Sequence, residues 1–351
     1  CERGIGGTAA ASEIPDLYRV KQDLLSEMKP EPGTRGRIGM PLALGMYELF
    51  PFWRAIFESL GFSVESSGFS SRKLYALGQY SIPSDTVCYP AKLMHGHIEE
   101  LLSRGVDAIF YPCLTYNVDA ADTDNHYNCP VVAYYSEVLA GNMESLQNTR
   151  FLYPYLNINQ PSHLAQELYE TLHGIWGDLK KSDLRRAVKA GYAAYDAYMQ
   201  TIRRAGEEAI AFARENHRRI MILAGRPYHA DPLICHSIDR LAASLGFVVV
   251  SEDAIAHLAR APRVKVLNQW TYHSRLYAAA QYAVEHADTE LVQLVSFGCG
   301  MDAITTDEVR AILEAGNKFY TQIKIDEITN LGAVRIRLRS LIGALEERAN
   351  S

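Results

Sequence analysis

Short apolar runs of strand length alternate along most of this chain with longer segments whose apolar residues recur every three or four positions. Residues 38–44 read as a strand, 47–60 as a helix and 62–66 as a strand. A helix over 91–103 follows, then strands over 108–111 and 131–135. Strands that alternate with helices predict a parallel sheet covered on both faces. Between about 161 and 217 the pattern becomes helical only. Leu184, Val188, Tyr192, Tyr195, Met199 and Ile202 form one apolar stripe there, which reads as core packing rather than as a cofactor-binding row of tyrosines. The β/α pattern then restarts, with strands over 220–223, 248–251, 291–295 and 319–325 and helices over 234–245, 274–285, 306–315 and 331–348. Thr305 and Glu308 have the spacing of a capping box, and Gly316-Asn317 a helix end.

The two β/α stretches look like copies. Gly39-Met-Pro41 recurs as Gly225-Arg-Pro227, Ser59-Leu-Gly-Phe62 as Ser244-Leu-Gly-Phe247, and Phe110-Tyr-Pro-Cys113 aligns with Ser296-Phe-Gly-Cys299, at offsets of 185 or 186. A period this long implies a duplicated domain, not a solenoid. The expected fold is α/β, with two similar Rossmann-like lobes of parallel sheet joined by a helical segment. The divisions are a lead-in over 1–36 with one helix near 17–28, a first lobe over 37–155, a helical connection over 156–217 and a second lobe over 218–351.

Composition narrows the partners. Hydrophobic content of 48% and charged content of 22% are ordinary for a soluble globular chain. A formal net charge of −6 without a basic run argues against nucleic acid. No apolar stretch is long enough for a membrane span, and no secretory signal appears, so the expected setting is cytoplasmic. Without an initiator Met before Cys1, the chain reads as processed or as a piece of a longer one. Six cysteines in 351 residues are too sparse for a disulfide scaffold.

Those cysteines carry the chemistry. Cys88, Cys113 and Cys129 fall within 42 residues, and Cys299 stands alone downstream in Phe-Gly-Cys-Gly-Met. Thiolates on loops at strand ends grip soft metals or iron–sulfur clusters. By the offset of 186, Cys113 and Cys299 hold equivalent strand-end positions, one per lobe, where open parallel sheets bind ligands. Cys88 heads the helix before the Cys113 strand, and Cys129 stands before Pro130. The functional reading is a [4Fe–4S]-type cluster on Cys88, Cys113 and Cys129, with Cys299 a fourth ligand or a neighbour across the cleft. There is no C-x-x-C, so neither a ferredoxin run nor a zinc ribbon is matched. Buried structural cysteines, a zinc site drawing on His126, and a thiol nucleophile all stay open.

Longer motifs add a resemblance. Arg37-Ile-Gly-Met-Pro41, Met46-Tyr-Glu-Leu-Phe-Pro-Phe-Trp53, Val87-Cys-Tyr-Pro-Ala-Lys-Leu-Met-His-Gly-His97 and Asp124-Asn-His-Tyr-Asn-Cys-Pro130 resemble the acyl-CoA dehydratase activase-related proteins. So do Gly225-Arg-Pro-Tyr-His229, Gln269-Trp-Thr-Tyr-His-Ser-Arg275 and Ser296-Phe-Gly-Cys-Gly-Met-Asp302. These proteins are relatives of the 2-hydroxyglutaryl-CoA dehydratase and benzoyl-CoA reductase cluster subunits. The likeness covers nearly everything from Arg37 onward. It implies the C-terminal portion of a larger polypeptide, following an ATP-dependent activase domain, in anaerobic metabolism. It further implies an iron–sulfur protein that accepts a low-potential electron from the activase and passes it to an acyl-CoA or other small substrate, and that pairs as a dimer. Cys88, Cys113 and Cys129 match the family's cluster-cysteine contexts, while Cys299 matches a motif without an assigned role. A double-cubane [8Fe–9S] cluster is disfavoured, since about six thiolates would require Cys1 and Cys235, which read as bystanders. No glycine-rich phosphate loop occurs, so ATP binding is not expected here.

Among polar residues, Arg226, Tyr228 and Arg275 are the expected substrate-binding groups, and His229 and His273 the expected proton donors. His95 and His97 lie two positions apart on one helix, roughly 200° around it, so they cannot both face a cluster. Asp124 and His126 are expected to support Cys129 from behind. Two other readings compete with the electron acceptor: a non-catalytic module that binds acyl-CoA or docks an activase, and a zinc protein.

Overall fold

The computed structural model describes residues 14–118, 123–296 and 298–350. The first lobe runs β1 (Arg37–Met40), α2 (Gly45–Ser59), β2 (Ser63–Ser66), α3 (Arg72–Gly78), α4 (Tyr89–Ser103), β3 (Ala108–Phe110), α5 (Pro130–Asn142) and β4 (Arg150–Leu152), after α1 (Leu17–Glu27). Two helices follow, α6 (Pro161–His173) and α7 (Lys181–Glu215). The second lobe runs β5 (Ile220–Ala224), α8 (Pro232–Cys235), α9 (Ile238–Ser244), β6 (Val248–Ser251), α10 (Glu252–Ile255), α11 (Thr271–Glu285), β7 (Thr289–Ser296), α12 (Gly300–Ala315), β8 (Thr321–Ile325) and α13 (Leu331–Ala349).

Each lobe holds one four-stranded sheet, ordered β2-β1-β3-β4 in the first and β6-β5-β7-β8 in the second, and every pairing is parallel. The fold is therefore α/β with two similar lobes. Parallel strands need crossovers, and helices on both faces bury the central ones: every residue of β5 and β7 is buried. In both sheets the strand order reverses beside the first strand, between β1 and β3 and between β5 and β7. The loops leaving those strands open the crevice where such sheets bind ligands.

The long helix α7 packs against α2 of the first lobe and against α10 and β6 of the second. Its apolar stripe is interior: Leu184, Val188, Tyr195, Met199 and Ile202 are buried, and the Tyr195 hydroxyl donates to Glu48 Oε1 at 3.1 Å. Helix α1 does not belong to the sheet that follows it. It docks on the second lobe, where Lys21 and Asp253 form a buried ion pair of 2.6 Å and Tyr18 Oη donates to the Leu223 carbonyl at 3.0 Å.

Three expectations are corrected. Residues 131–135 are not a strand but the start of α5, because Pro130 pre-sets the first helical turn and the Cys129 sulfur accepts the Val132 amide. The fourth strand of that sheet is instead β4. The helix expected over 234–245 is broken, since His236 and Ser237 take left-handed φ values of 50° and 62° between α8 and α9. Thr305 and Glu308 do not cap a helix: α12 starts at Gly300, and the Thr305 hydroxyl donates back to the Met301 carbonyl at 2.8 Å.

Candidate functional site

Three helices present a cysteine at the position just before their first turn. Cys88 is the N-cap of α4, Cys129 of α5 and Cys299 of α12. Proline follows closely in the first two cases, and glycine leads the third. The three N-termini converge, and Cys88, Cys129 and Cys299 all line one cavity of about 300 Å3 between the lobes. Val87, Pro90, Pro130 and Val131 contribute an apolar wall from the first lobe, while Arg226, Tyr228, Ser296 and the first residues of α12 form the second-lobe wall.

The thiols feel their surroundings and one another. Burial pushes the Cys88 thiol up to about 11, the neighbouring Cys129 and Cys299 push in the same direction, and Arg226 opposes them. Cys129 is raised for the same leading reason, with the Val132 amide and Arg226 acting against it. Raised thiols at Cys88 and Cys129 are poor isolated nucleophiles, and a positively charged metal centre reverses that penalty. Among the described residues, no three His, Cys, Asp or Glu side chains converge on a single point as one ion would require. The cysteines border a space instead.

Arg226 organises the second-lobe wall. Its guanidinium is buried and donates to Asp302 Oδ1 at 2.5 Å and to Cys299 Sγ at 3.1 Å. The other Asp302 oxygen accepts the Ser296 amide at 2.8 Å. Burial alone would lower the Arg226 pKa, but the Asp302 carboxylate holds the side chain firmly charged. His229 is fully buried behind it, with Nδ1 3.2 Å from the Arg226 amide nitrogen and Nε2 3.2 Å from the guanidinium. Burial first, and then the Arg226 charge, hold His229 well below its usual range, so it stays neutral. The turn is tight enough that a Cβ at Gly225 would lie 2.4 Å from His229 Nδ1. Tyr228 lines the cavity as a buried neutral phenol, its pKa raised first by burial.

The remaining sequence candidates lie elsewhere. Cys113 does not line this cavity; its Sγ sits 3.0 Å from Ser136 Oγ, and its backbone pairs with Tyr155. His273, near the start of α11, is buried with neither ring nitrogen partnered and is held neutral by burial and by Arg226. Arg275 is committed to a two-pronged ion pair with the buried Glu48 and borders a separate cavity of about 460 Å3. His97 is bound by Ser67 and Ser70, His95 by Ser81 and Tyr135, and neither faces the cysteines. Asp124 clasps the Asn268 backbone and His126 meets Asn159, away from Cys129 Sγ. The Cys235 thiol donates to Asp239 at 3.5 Å, and Cys1 lies outside the described residues.

The family model for the CoA enzyme activase uncharacterised domain matches residues 37–255, more than half of the chain. The chain belongs to that family. The match takes in the CoA enzyme activase domain's first lobe, the connecting helices and the second lobe as far as β6 and α10, with Cys88, Cys129, Arg226 and Tyr228 inside it. Cys299 and Asp302 lie beyond the matched segment. No curated protein matches the chain. No described helix of this CoA enzyme activase-family chain is long and apolar enough to cross a membrane.

Two residues of the site carried no role in the sequence reading: Ser296 and Asp302. The signal for Asp302 was its place three residues after Cys299, the third turn position where an acidic group favours a helix start. Ser296 gives no such signal, since only the end of β7 brings it to the cavity.

Proposed function

We propose that this chain is an iron–sulfur electron acceptor of the 2-hydroxyacyl-CoA dehydratase and reductase type. In this reading Cys88, Cys129 and Cys299 hold a [4Fe–4S] cluster, and an ATP-dependent activase supplies a low-potential electron destined for an acyl-CoA or other small substrate. The observation that carries it is the convergence of three N-cap cysteines on one cavity. When bound, such a cluster stores and passes one electron at a time.

The chain's own residues suit that role. The free amides that head α4, α5 and α12, together with Arg226, offset negative charge at the sulfurs. The Arg226 guanidinium donates a hydrogen bond to Cys299 Sγ. Val87, Pro90, Pro130 and Val131 keep water from the first-lobe side. Three cysteines would leave such a cluster one position without a protein thiolate, open to a small molecule. A double cubane fits the arrangement poorly, because Cys113 and Cys235 stand outside the cavity. The membership in a CoA enzyme activase family supports an activation partner, and a cytoplasmic dimer is part of the same proposal.

Anaerobic reconstitution, iron and sulfide analysis and electron paramagnetic resonance test it. About four irons per chain are expected in the wild type. Cys88→Ala, Cys129→Ala and Cys299→Ala should each lose most of that iron, whereas Cys113→Ala should keep it. A colourless, iron-free wild type after reconstitution, or a loss confined to Cys113→Ala, overturns the assignment.

A further inference from the structure

The two walls of the cysteine cavity differ in emphasis. The first-lobe wall gives two thiols, apolar carbon and the Thr86 side chain, and the second-lobe wall gives Cys299 and most of the hydrogen-bond donors. Ser296 ends β7 on the second-lobe side; the residue is only 5% exposed, and its Oγ has no hydrogen-bond partner. A buried hydroxyl without a partner is costly, so it marks a place where a ligand atom is welcome. Gly300 and Met301 line the same cavity at the head of α12, a helix of 16 residues whose first amides have no partner within the helix. Hydroxyl and helix head thus present donors to one side of the space.

The charge on that wall decides which oxygen they accept. Among the described residues, Arg226 is the only cationic side chain lining the cavity, and its charge is answered by Asp302 at 2.5 Å, with both side chains 5–6% exposed. The pair sums to zero. A carboxylate placed against Ser296 would find no uncompensated cation, would approach the Asp302 carboxylate, and would face three sulfurs that become anionic on binding metal. An uncharged oxygen, as in a ketone, amide or ester carbonyl, uses the same donors without that repulsion.

Resting on the reading of this cavity as the reactive site, we infer that Ser296 Oγ and the leading amides of α12 form an oxygen-binding subsite that selects an uncharged carbonyl oxygen and rejects a carboxylate. Ser296 is the specificity-determining residue, and the Arg226–Asp302 pair is the neutral backing that sets the preference.

Acetamide and acetate are nearly the same shape and differ in charge, so they make the test. Each is titrated by NMR into the wild type and into Ser296→Ala, following the methyl resonance of Met301, which lines the cavity. The titrations are run on the protein both as purified and after anaerobic reconstitution, with iron measured in each sample. Acetamide is expected to bind at least tenfold more tightly than acetate, and Ser296→Ala to cut its affinity roughly three- to tenfold, the range for one lost hydrogen bond. Because the hydroxyl has no partner, Ser296→Ala should melt no lower than the wild type. Acetate binding as tightly as acetamide, neither molecule shifting Met301, or Ser296→Ala leaving acetamide affinity unchanged, each overturns the subsite. The preference in an iron-free chain counts against the cluster alone, and iron uptake without the preference counts against the subsite alone.

Discussion

Arg226 is held by a carboxylate, a thiol and an imidazole at once, and the balance among them can be tested one residue at a time. Its pair with Asp302 is buried on both sides, so a neutral partner leaves a desolvated guanidinium without compensation. Asp302→Asn is therefore expected to cost about 3–5 kcal/mol in urea denaturation; a loss below about 1 kcal/mol would show that the charge finds another partner. The sequence places His229 at the strand end as a proton donor; in the structure its two ring nitrogens face the Arg226 amide and guanidinium, and a neutral imidazole can accept from only one of them. His97 provides the pH-dependent case. Burial holds it at about 3, against 6.5 in the unfolded chain, so it contributes stability above pH 6.5 that is lost as pH falls toward 3, because only the unfolded state takes up the proton. Replacing it by Asn should flatten the acid limb of stability by up to about 1.4 kcal/mol per pH unit between 6 and 4. Identical slopes for the two proteins in that window refute the assignment.

At the scale of elements, the helix that carries Cys88 is set by a contact of backbones. A Cβ on Gly96 of α4 would lie 2.1 Å from the Leu74 carbonyl of α3, and one on Gly78 would lie 2.2 Å from the Gly96 amide nitrogen. Gly96→Ala must push the helices apart and should cost about 1–3 kcal/mol. It should also lower iron uptake, because α4 moves with its N-terminal cysteine. Wild-type melting and full iron content would mean that the crossing relaxes freely. Element positions were largely legible in the sequence, because buried parallel strands and amphipathic helices write their periods plainly. The exceptions have physical reasons. Val131, Val132, Tyr134 and Tyr135 are β-branched or aromatic, which favours a strand, but Pro130 and the Cys129 cap decide locally for a helix. The offset of 186 aligns Cys113 with Cys299, whereas the topology makes Cys129 the counterpart of Cys299, since each caps the helix after its lobe's third strand. The 19 positions between β3 and α5 hide that correspondence, because only three positions lie between β7 and α12.

For the whole molecule, the decisive fact is that the site belongs to neither lobe. Cys88 and Cys129 come from the first, Cys299 from the second, and the cavity exists only while the lobes keep their registry. That registry is maintained by α7 lying against both lobes, by the Glu48–Arg275 pair joining α2 to α11, and by the loop before α5, where Tyr127 and Trp270 pair across the boundary. None of these contacts is visible in a sequence pattern, since each joins positions far apart in the chain. A group bound by cysteines of both lobes must favour the docked arrangement over any in which they part, and it stabilises the fold in proportion to its affinity for that arrangement alone. Reconstitution should therefore raise the unfolding temperature and sharpen the transition. The increment should fall in Cys299→Ala by as much as in Cys88→Ala, although only the latter removes a first-lobe ligand. Paired calorimetric scans of the purified and reconstituted forms check this. If Cys299→Ala keeps the full increment, the bound group is held by the first lobe alone, and the closure of the two lobes over it is wrong.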